Sequence, residues 1–334
     1  MAIKILSLDG GGTRGLFYIY FLNQLEKKLK KPIRKTFDYI GGTSIGGISA
    51  LMLTHPLKWF GYRNDFYIQE ILDTNLHKTI LSTVFSPPPP MFKSLGLLSA
   101  RYSYQMDIID DGLRNHIFGP DPFGEQSATR CMVFAHNARE NQVKVFKSWK
   151  HQNYYLYTIA RATSAAPTFF TPVCIEDDVF VDGALAGANN PSTFILYEAK
   201  FYNPDEEFVI LSLGAGKPKV NFECEDINKG SLAQWAPKFV NIMLQASERS
   251  FEYLHGRHEF SSEPFEKKEF NLPNNTGFCG YYKSYHNLTF RFRPSFDLGL
   301  DEIDPQKLGP LKTVAEDLFK NNGEIIDELV NRLT

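Results

Sequence analysis

Apolar and polar positions switch between a strand-like and a helix-like period from the start of the chain. Ile3 to Leu8 is a short apolar run that stops at Asp9 and three glycines, the pattern of a buried strand entering a tight loop. Leu16, Ile19, Tyr20, Phe21, Leu25 and Leu29 then recur at helical spacing, with Glu26, Lys27, Lys28 and Lys30 on the other face. Phe37 to Ile40 predicts a second strand, Gly41 to Gly47 a glycine-rich turn, and Ile48 to Leu53 a helix. Strand, loop, helix, strand, turn, helix opens a doubly wound sheet. It predicts a three-layer α/β/α architecture around a central, mostly parallel sheet.

The pattern then breaks. Residues 56–105 hold four consecutive prolines, Pro87 to Pro90, flanked by Val84, Phe85, Met91, Phe92, Leu95, Leu97 and Leu98. Prolines remove donors and fix an extended path, so this reads as an inserted loop or lid. Its apolar flanks suit either packed core or a lipid-facing surface. Arg130 to Ala135 and Val143 to Phe146 predict a strand pair, and Tyr155 to Ser164 a helix stopped by Pro167. Val173 to Val181 is extended, with a turn at Glu176, Asp177 and Asp178, and leads into Asp182-Gly183-Ala184. Phe208 to Leu213 predicts a buried strand, Ser231 to Leu254 a long helix, Leu288 to Phe292 a late strand, and Leu311 to Leu333 one amphipathic helix. No repeat or composition shift divides the chain. Residues 1–216 read as a core with its insertion, and 217–334 as an extension packed on the same domain.

Composition narrows the class. The 334 residues carry 36 Lys and Arg against 38 Asp and Glu, a net charge of −2, so no global basic field invites nucleic acid. No apolar run approaches the roughly 18 to 20 residues of a membrane span. The longest, Gly15 to Leu22, stops well short, and no signal peptide is expected. Cys131, Cys174, Cys224 and Cys279 are scattered, without zinc spacing, as expected of reduced, mostly buried thiols in a cytoplasmic protein. Neither a cofactor nor a metal is implied, and the acidic residues lack EF-hand spacing.

Two glycine-rich segments can carry chemistry. Gly42-Thr43-Ser44-Ile45-Gly46 places a Gly two residues either side of a Ser, between a strand and a helix. That is the nucleophile-elbow pattern, in which a strained turn holds the Oγ exposed over a helix N-terminus; a purely structural turn is the competing reading. Asp9-Gly10-Gly11-Gly12-Thr13-Arg14-Gly15 can present successive backbone N–H groups to a phosphate or to an oxyanion. It has neither the Lys-Ser/Thr end of a Walker loop nor the spacing of GxGxxG. A hydroxyl nucleophile needs a base. None of His55, His77, His116, His136, His151, His255, His258 and His286 sits next to a Gly-rich loop or an acidic partner in a way that singles it out. Asp182 follows a strand and precedes Gly183, where open α/β sheets build sites, although an Asx turn also accounts for it.

DGGGTRG at 9–15, GTSIG at 42–46 and DGA at 182–184, in that order, resemble the patatin-like phospholipases, as does Ala165-Ala166-Pro167-Thr168-Phe169-Phe170. The resemblance spans residues 3–216. It implies a lipid acyl hydrolase of the phospholipase A type working through a Ser-Asp dyad and an acyl-enzyme. Ser44 is the implied nucleophile and Asp182 the base. Gly10, Gly11 and Gly12 surround the oxyanion, with Thr13, Arg14, Gly42, Gly46 and Gly183 in support. Arg14 would hold the loop or an anionic headgroup. The implied partners are a phospholipid or other lipid ester, a membrane surface touched transiently, and an activating ligand or protein of unknown kind. The implied location is cytoplasmic and peripheral at membranes, with export as an effector an open alternative.

Three rivals stay open. DGGGT also resembles the phosphate loop of actin-like kinases, where the loop is a hairpin between strands. An α/β-hydrolase triad would combine Ser44 and Asp182 with His286. A non-catalytic lipid-binding protein could share the fold. For a lipase of near-zero charge, local patches such as the basic run Lys27 to Lys35 are expected to dock an anionic bilayer, unless that run is only a solvated helix end. The 28 Phe, within 14% aromatics, are expected to line an acyl-chain pocket.

Overall fold

A computed structural model describes residues 2–55, 68–73, 109–124, 129–167, 169–216, 266–269, 277–284, 287–296 and 304–334, with a few isolated positions. Ten strands form one mixed sheet: β1 (Ile3–Leu8), β2 (Tyr39–Thr43), β3 (Arg130–Asn137), β4 (Gln142–Lys147), β5 (Val173–Ile175), β6 (Asp178–Asp182), β7 (Phe208–Leu213), β8 (Glu266–Glu269), β9 (Gly277–Ser284) and β10 (Asn287–Pro294). The path runs β5-β6-β3-β2-β1-β7-β10-β9-β8, with β4 on β3. The run β3-β2-β1-β7-β10 is parallel throughout, and the outer pairings are antiparallel.

The described helices are α1 (Leu16–Leu29), α2 (Ile33–Thr36), α3 (Ile45–Thr54), α4 (Ile68–Asp73), α5 (Leu156–Thr163), α6 (Ser192–Tyr202), α7 (Pro305–Asn321) and α8 (Gly323–Leu333). Leu6 and Leu8 of β1, with Val209, Leu211 and Leu213 of β7, join one apolar cluster with α1, α3, α5, α7 and α8. Ile5, Phe208 and Ile210 join Ile195, Leu196 and Ala199 of α6 on the opposite face. Helices on both faces explain why β1 and β7 read as continuous apolar runs rather than alternating ones.

Among the described residues, a group of aromatic rings lies inside this core. Phe17 and Phe21 of α1 meet Phe296, Phe292 and Phe319, with ring centroids 4.8–5.8 Å apart. This group knits α1 to β10 and α7, so these rings fill the helical layer rather than a substrate pocket.

Several expectations shift. Strand β2 runs on through Gly41 and Gly42 to Thr43, because β1 and β3 flank it on both edges. A Cβ at Gly41 would stand 2.7 Å from Ile195 Cδ1 of α6. The single C-terminal helix is two helices, broken at Asn322 (φ −123°, ψ 44°). Asp304 caps the first, with Pro305 in its opening turn. Within the expected insertion, α4 is anchored on α1 by Glu26, whose carboxylate accepts from Ile68 N at 2.7 Å and Ile33 N at 2.8 Å. Pro87–Pro90 and Cys224 lie outside the described residues, as does the predicted 231–254 helix apart from isolated positions. Cys131 and Cys279 are buried, whereas Cys174 is exposed. Among the described residues, no helix is long and apolar enough to cross a membrane.

Candidate active site

The site forms where β2 gives way to α3. Ser44 stands between them at φ 57°, ψ −126°. A residue other than Gly held in such a conformation stores about 1–3 kcal/mol of strain, which only tight surroundings maintain. A Cβ on Gly42 would come within 2.1 Å of the Gly46 carbonyl oxygen, and one on Gly46 within 2.2 Å of the Leu8 carbonyl oxygen. The two glycines therefore let α3 start hard against β1 and β2. Thr163 fixes the turn from below: its Oγ1 accepts from Ser44 N at 2.8 Å and donates to the Phe134 carbonyl at 2.6 Å. Thr43 Oγ1 donates to the Ala188 carbonyl at 2.5 Å. Ser44 directly precedes the N-terminus of α3, whose dipole favours negative charge there.

Strand β3 brings Asp182 to Ser44. Antiparallel β4 takes one edge of β3 over residues 132–137, so β2 and β6 share the other edge end to end. Thr43 pairs with Phe134, and Asp182 pairs with Ala135 one position on. A Cβ at Gly183 would stand 2.6 Å from the Phe134 carbonyl oxygen, which keeps this junction tight. Asp182 is 2% exposed. Its Oδ1 accepts from Ala184 N at 2.9 Å, and the Ser44 side chain lies close enough to favour its ionised form. Burial pushes its pKa up from 3.8 to about 6, against the opposing pull of the Ala184 amide and the Ser44 side chain. Near neutral pH it is mostly ionised and able to take a proton.

The glycine loop lies against the same serine. A Cβ at Gly10 would stand 3.2 Å from Ser44 Cβ. The Gly10 amide donates to the Asn189 carbonyl at 3.0 Å, so Gly10 spaces the loop rather than offering a donor. Among the described residues, the amides of Gly11 and Gly12 have no backbone acceptor. Arg14 is buried, and its Nε donates to the Gly11 carbonyl at 3.1 Å and its Nη1 to the Gly216 carbonyl at 3.3 Å. It therefore holds the loop and does not present itself to a headgroup. In a trans peptide, pinning the Gly11 carbonyl towards Arg14 turns the Gly12 N–H the other way. Thr13 is buried in the 3₁₀ turn (Gly12–Gly15) that leads into α1. A helix, not a second strand, follows the loop, which does not match the hairpin of a kinase phosphate loop.

The described histidines do not assemble a triad. His55 Nε2 bonds the Phe123 carbonyl and its ring stacks on Phe123. His151 Nδ1 accepts from Lys147 N, and His116 pairs with Asp111. His136 pairs with Val181, one position out of phase with the Ala135–Asp182 pair, so it faces the opposite side of the sheet. His286 lies outside the described residues. Among the described residues, no three His, Cys, Asp or Glu side chains group as a metal site.

Pattern reading missed Thr163, Asn189 and Arg291. Arg291 Nη1 and Nη2 grip Asp9 Oδ1 and Oδ2 at 2.9 and 2.5 Å, with both side chains fully buried. The available signal was an arginine inside the apolar run Leu288 to Phe292.

Comparison with known proteins bears on the family and the fold. A family model described as Patatin-like phospholipase matches residues 6–194. Calcium-independent phospholipase A2-gamma of Rattus norvegicus is 26% identical, over 99% of this chain and 40% of its own length. The Homo sapiens protein of that name is 27% identical, over 74% of this chain and 32% of its own. A cGAMP-activated phospholipase of Pseudomonas aeruginosa is 27% identical, over 75% of this chain and 73% of its own. The chain thus spans two fifths or less of these calcium-independent relatives. Human GIVD cytosolic phospholipase A2, solved with methyl gamma-linolenyl fluorophosphonate, shares the fold with a TM-score of 0.52 at 12% identity. The match covers 99% of this chain and 59% of that one.

Proposed function

Since the chain belongs to the patatin-like phospholipase family, we propose that it hydrolyses carboxylic esters of glycerophospholipids, with Ser44 as nucleophile and Asp182 as its base. The observation that carries this reading is the strained Ser44 side chain set beside a buried carboxylate whose pKa is raised to about 6. Asp182 takes the Ser44 proton as Oγ attacks the ester carbonyl. The amides of Gly11 and Gly12 receive the oxyanion, and the positive end of α3 supports it. Asp182 returns the proton to the leaving alcohol as the acyl–oxygen bond breaks. Water, deprotonated by the same carboxylate, then releases the fatty acid and regenerates Ser44.

The test is fatty-acid release from defined phospholipid vesicles by the parent protein, Ser44→Ala and Asp182→Asn. Both variants are expected to lose at least about 1000-fold in kcat. Equal release by all three would overturn the reading, and intact activity in Asp182→Asn with loss in His286→Ala would overturn the dyad. Failure of a fluorophosphonate to label Ser44 would favour a non-catalytic lipid binder. Because a relative of similar length is named for activation by cGAMP, the assay is run with and without cGAMP, and with a calcium chelator.

A further inference from the structure

We propose that Arg291 is a positioning residue of the Ser44 site: by gripping the buried carboxylate of Asp9 it fixes the glycine loop so that the Gly11 and Gly12 amides stay aimed at the forming oxyanion. This rests on reading that loop as the oxyanion hole.

The Gly10–Gly12 run has no side chains, so nothing within it resists the freedom that glycine brings. Its shape is imposed from its ends. Arg14 holds the Gly11 carbonyl at one end. At the other, Asp9 is held at three points. Its amide donates to the Leu213 carbonyl at 3.0 Å, its carbonyl accepts from the Tyr18 hydroxyl at 2.5 Å, and its carboxylate is gripped by both terminal nitrogens of Arg291.

The fold makes room for this grip. Arg291 belongs to β10, separated from β1 by β7, and reaches Asp9 from 282 residues further along the chain. Its Nη1 also donates to Ser212 Oγ of β7 at 2.8 Å. A Cβ on Gly214 would stand 3.0 Å from Arg291 Nη2 and 2.6 Å from Arg293 Cγ, so the glycine leaves the guanidinium its path. Both charged groups are 0% exposed. For stability alone, an apolar pair of similar volume generally serves such a place as well or better, so a buried ion pair is better explained by the geometry it enforces.

The experiment compares Arg291→Lys, the apolar pair Asp9→Leu/Arg291→Met, and Ser44→Ala with the parent full-length chain. Readouts are thermal melting and the separate kcat and KM for p-nitrophenyl butyrate, a soluble ester that needs no membrane. Arg291→Lys keeps the charge but loses the two-pronged grip. It is expected to stay folded and to lose about 10- to 100-fold in kcat, with KM within about threefold. The apolar pair is expected to melt near the parent temperature without recovering kcat. Parent-like kcat in Arg291→Lys, or recovery of kcat together with melting temperature in the apolar pair, would overturn the proposal. If the apolar pair does not fold, Arg291→Lys alone decides. A fully active Ser44→Ala would instead overturn the reading of the site beneath it. An inactive Ser44→Ala beside fully active Arg291 variants would sink the positioning role only.

Discussion

At Asp182 and Ser44, stability and reactivity pull in opposite directions. The folded pKa of Asp182 is raised to about 6 from 3.8. The native state therefore holds this proton more tightly than the unfolded chain, and native stability falls as pH rises through that window. Above it, the ionised carboxylate disfavours the fold by up to about 3 kcal/mol. Asp182→Asn keeps an oxygen for Ala184 N and the Ser44 hydroxyl but removes the buried charge. It is expected to abolish turnover while gaining stability at pH 8, with the gain shrinking towards pH 4; urea melts at the two pH values check the sign. In the parent, kcat/KM should fall about tenfold per unit below pH 6, because only the ionised form accepts the serine proton. Ser44 itself stores strain at φ 57°. Ser44→Gly should be more stable than Ser44→Ala by about 1 kcal/mol, both being inactive, since both lose the hydroxyl and only glycine relaxes the backbone.

At the scale of elements, the elbow is one unit built by β2, α3 and the end of β1. Gly42→Ala or Gly46→Ala would push a methyl into backbone carbonyls that no rotamer change can move. Each is expected to reduce stability by more than about 3 kcal/mol, read as loss of soluble, cooperatively melting protein. The elbow was legible in the sequence because its constraint is local: Gly, Ser and Gly must stand at fixed spacing whatever packs around them. The same holds for Asp182, which ends a strand before a small residue. Thr163, Asn189 and Arg291 were not legible, because each acts on residues that sheet pairing alone brings near, and no spacing encodes that. The extent of β2 was misread for a related reason. Glycines argue against a strand locally, yet two flanking strands and the close approach of α6 impose one. The break at Asn322 was invisible to periodicity because α7 and α8 bury apolar faces in the same cluster, Leu311 and Leu318 in one, Ile326 and Leu333 in the other. Gly323 begins α8 with open space around its missing Cβ. Gly323→Ala is expected to raise stability by about 0.5–1 kcal/mol and leave turnover unchanged, as thermal melts and the butyrate assay would show.

Across the whole molecule, the position of the basic run decides what it can do for the proposed lipid hydrolysis. Ser44 lies at the C-terminal end of the parallel strands, and α1 starts beside it: a Cβ at Gly15 would stand 2.7 Å from Ile45 Cγ1. The 14 residues of α1 then lead about 21 Å away. Its far end is level with the strand starts, where Lys4 N bonds Asp38 Oδ2 and Lys4 Nζ the Leu333 carbonyl. The cations of Lys27 to Lys35 therefore sit at the opposite end of the sheet from Ser44. There they complement the C-terminus of α1, and Lys28 pairs with Asp327 of α8 at 2.5 Å. A bilayer bound through this run would meet the wrong end of the molecule, which argues for the solvated helix end over the docking patch. The triple variant Lys27→Glu/Lys30→Glu/Lys31→Glu spares the ion pair and cancels the charge of the run. Its hydrolysis of anionic phospholipid vesicles is expected to stay within about twofold of the parent, because neutralising a surface that faces away from the bilayer changes neither encounter nor orientation. A tenfold loss on anionic vesicles, with p-nitrophenyl butyrate turnover intact, would show instead that this end of the sheet does meet the membrane.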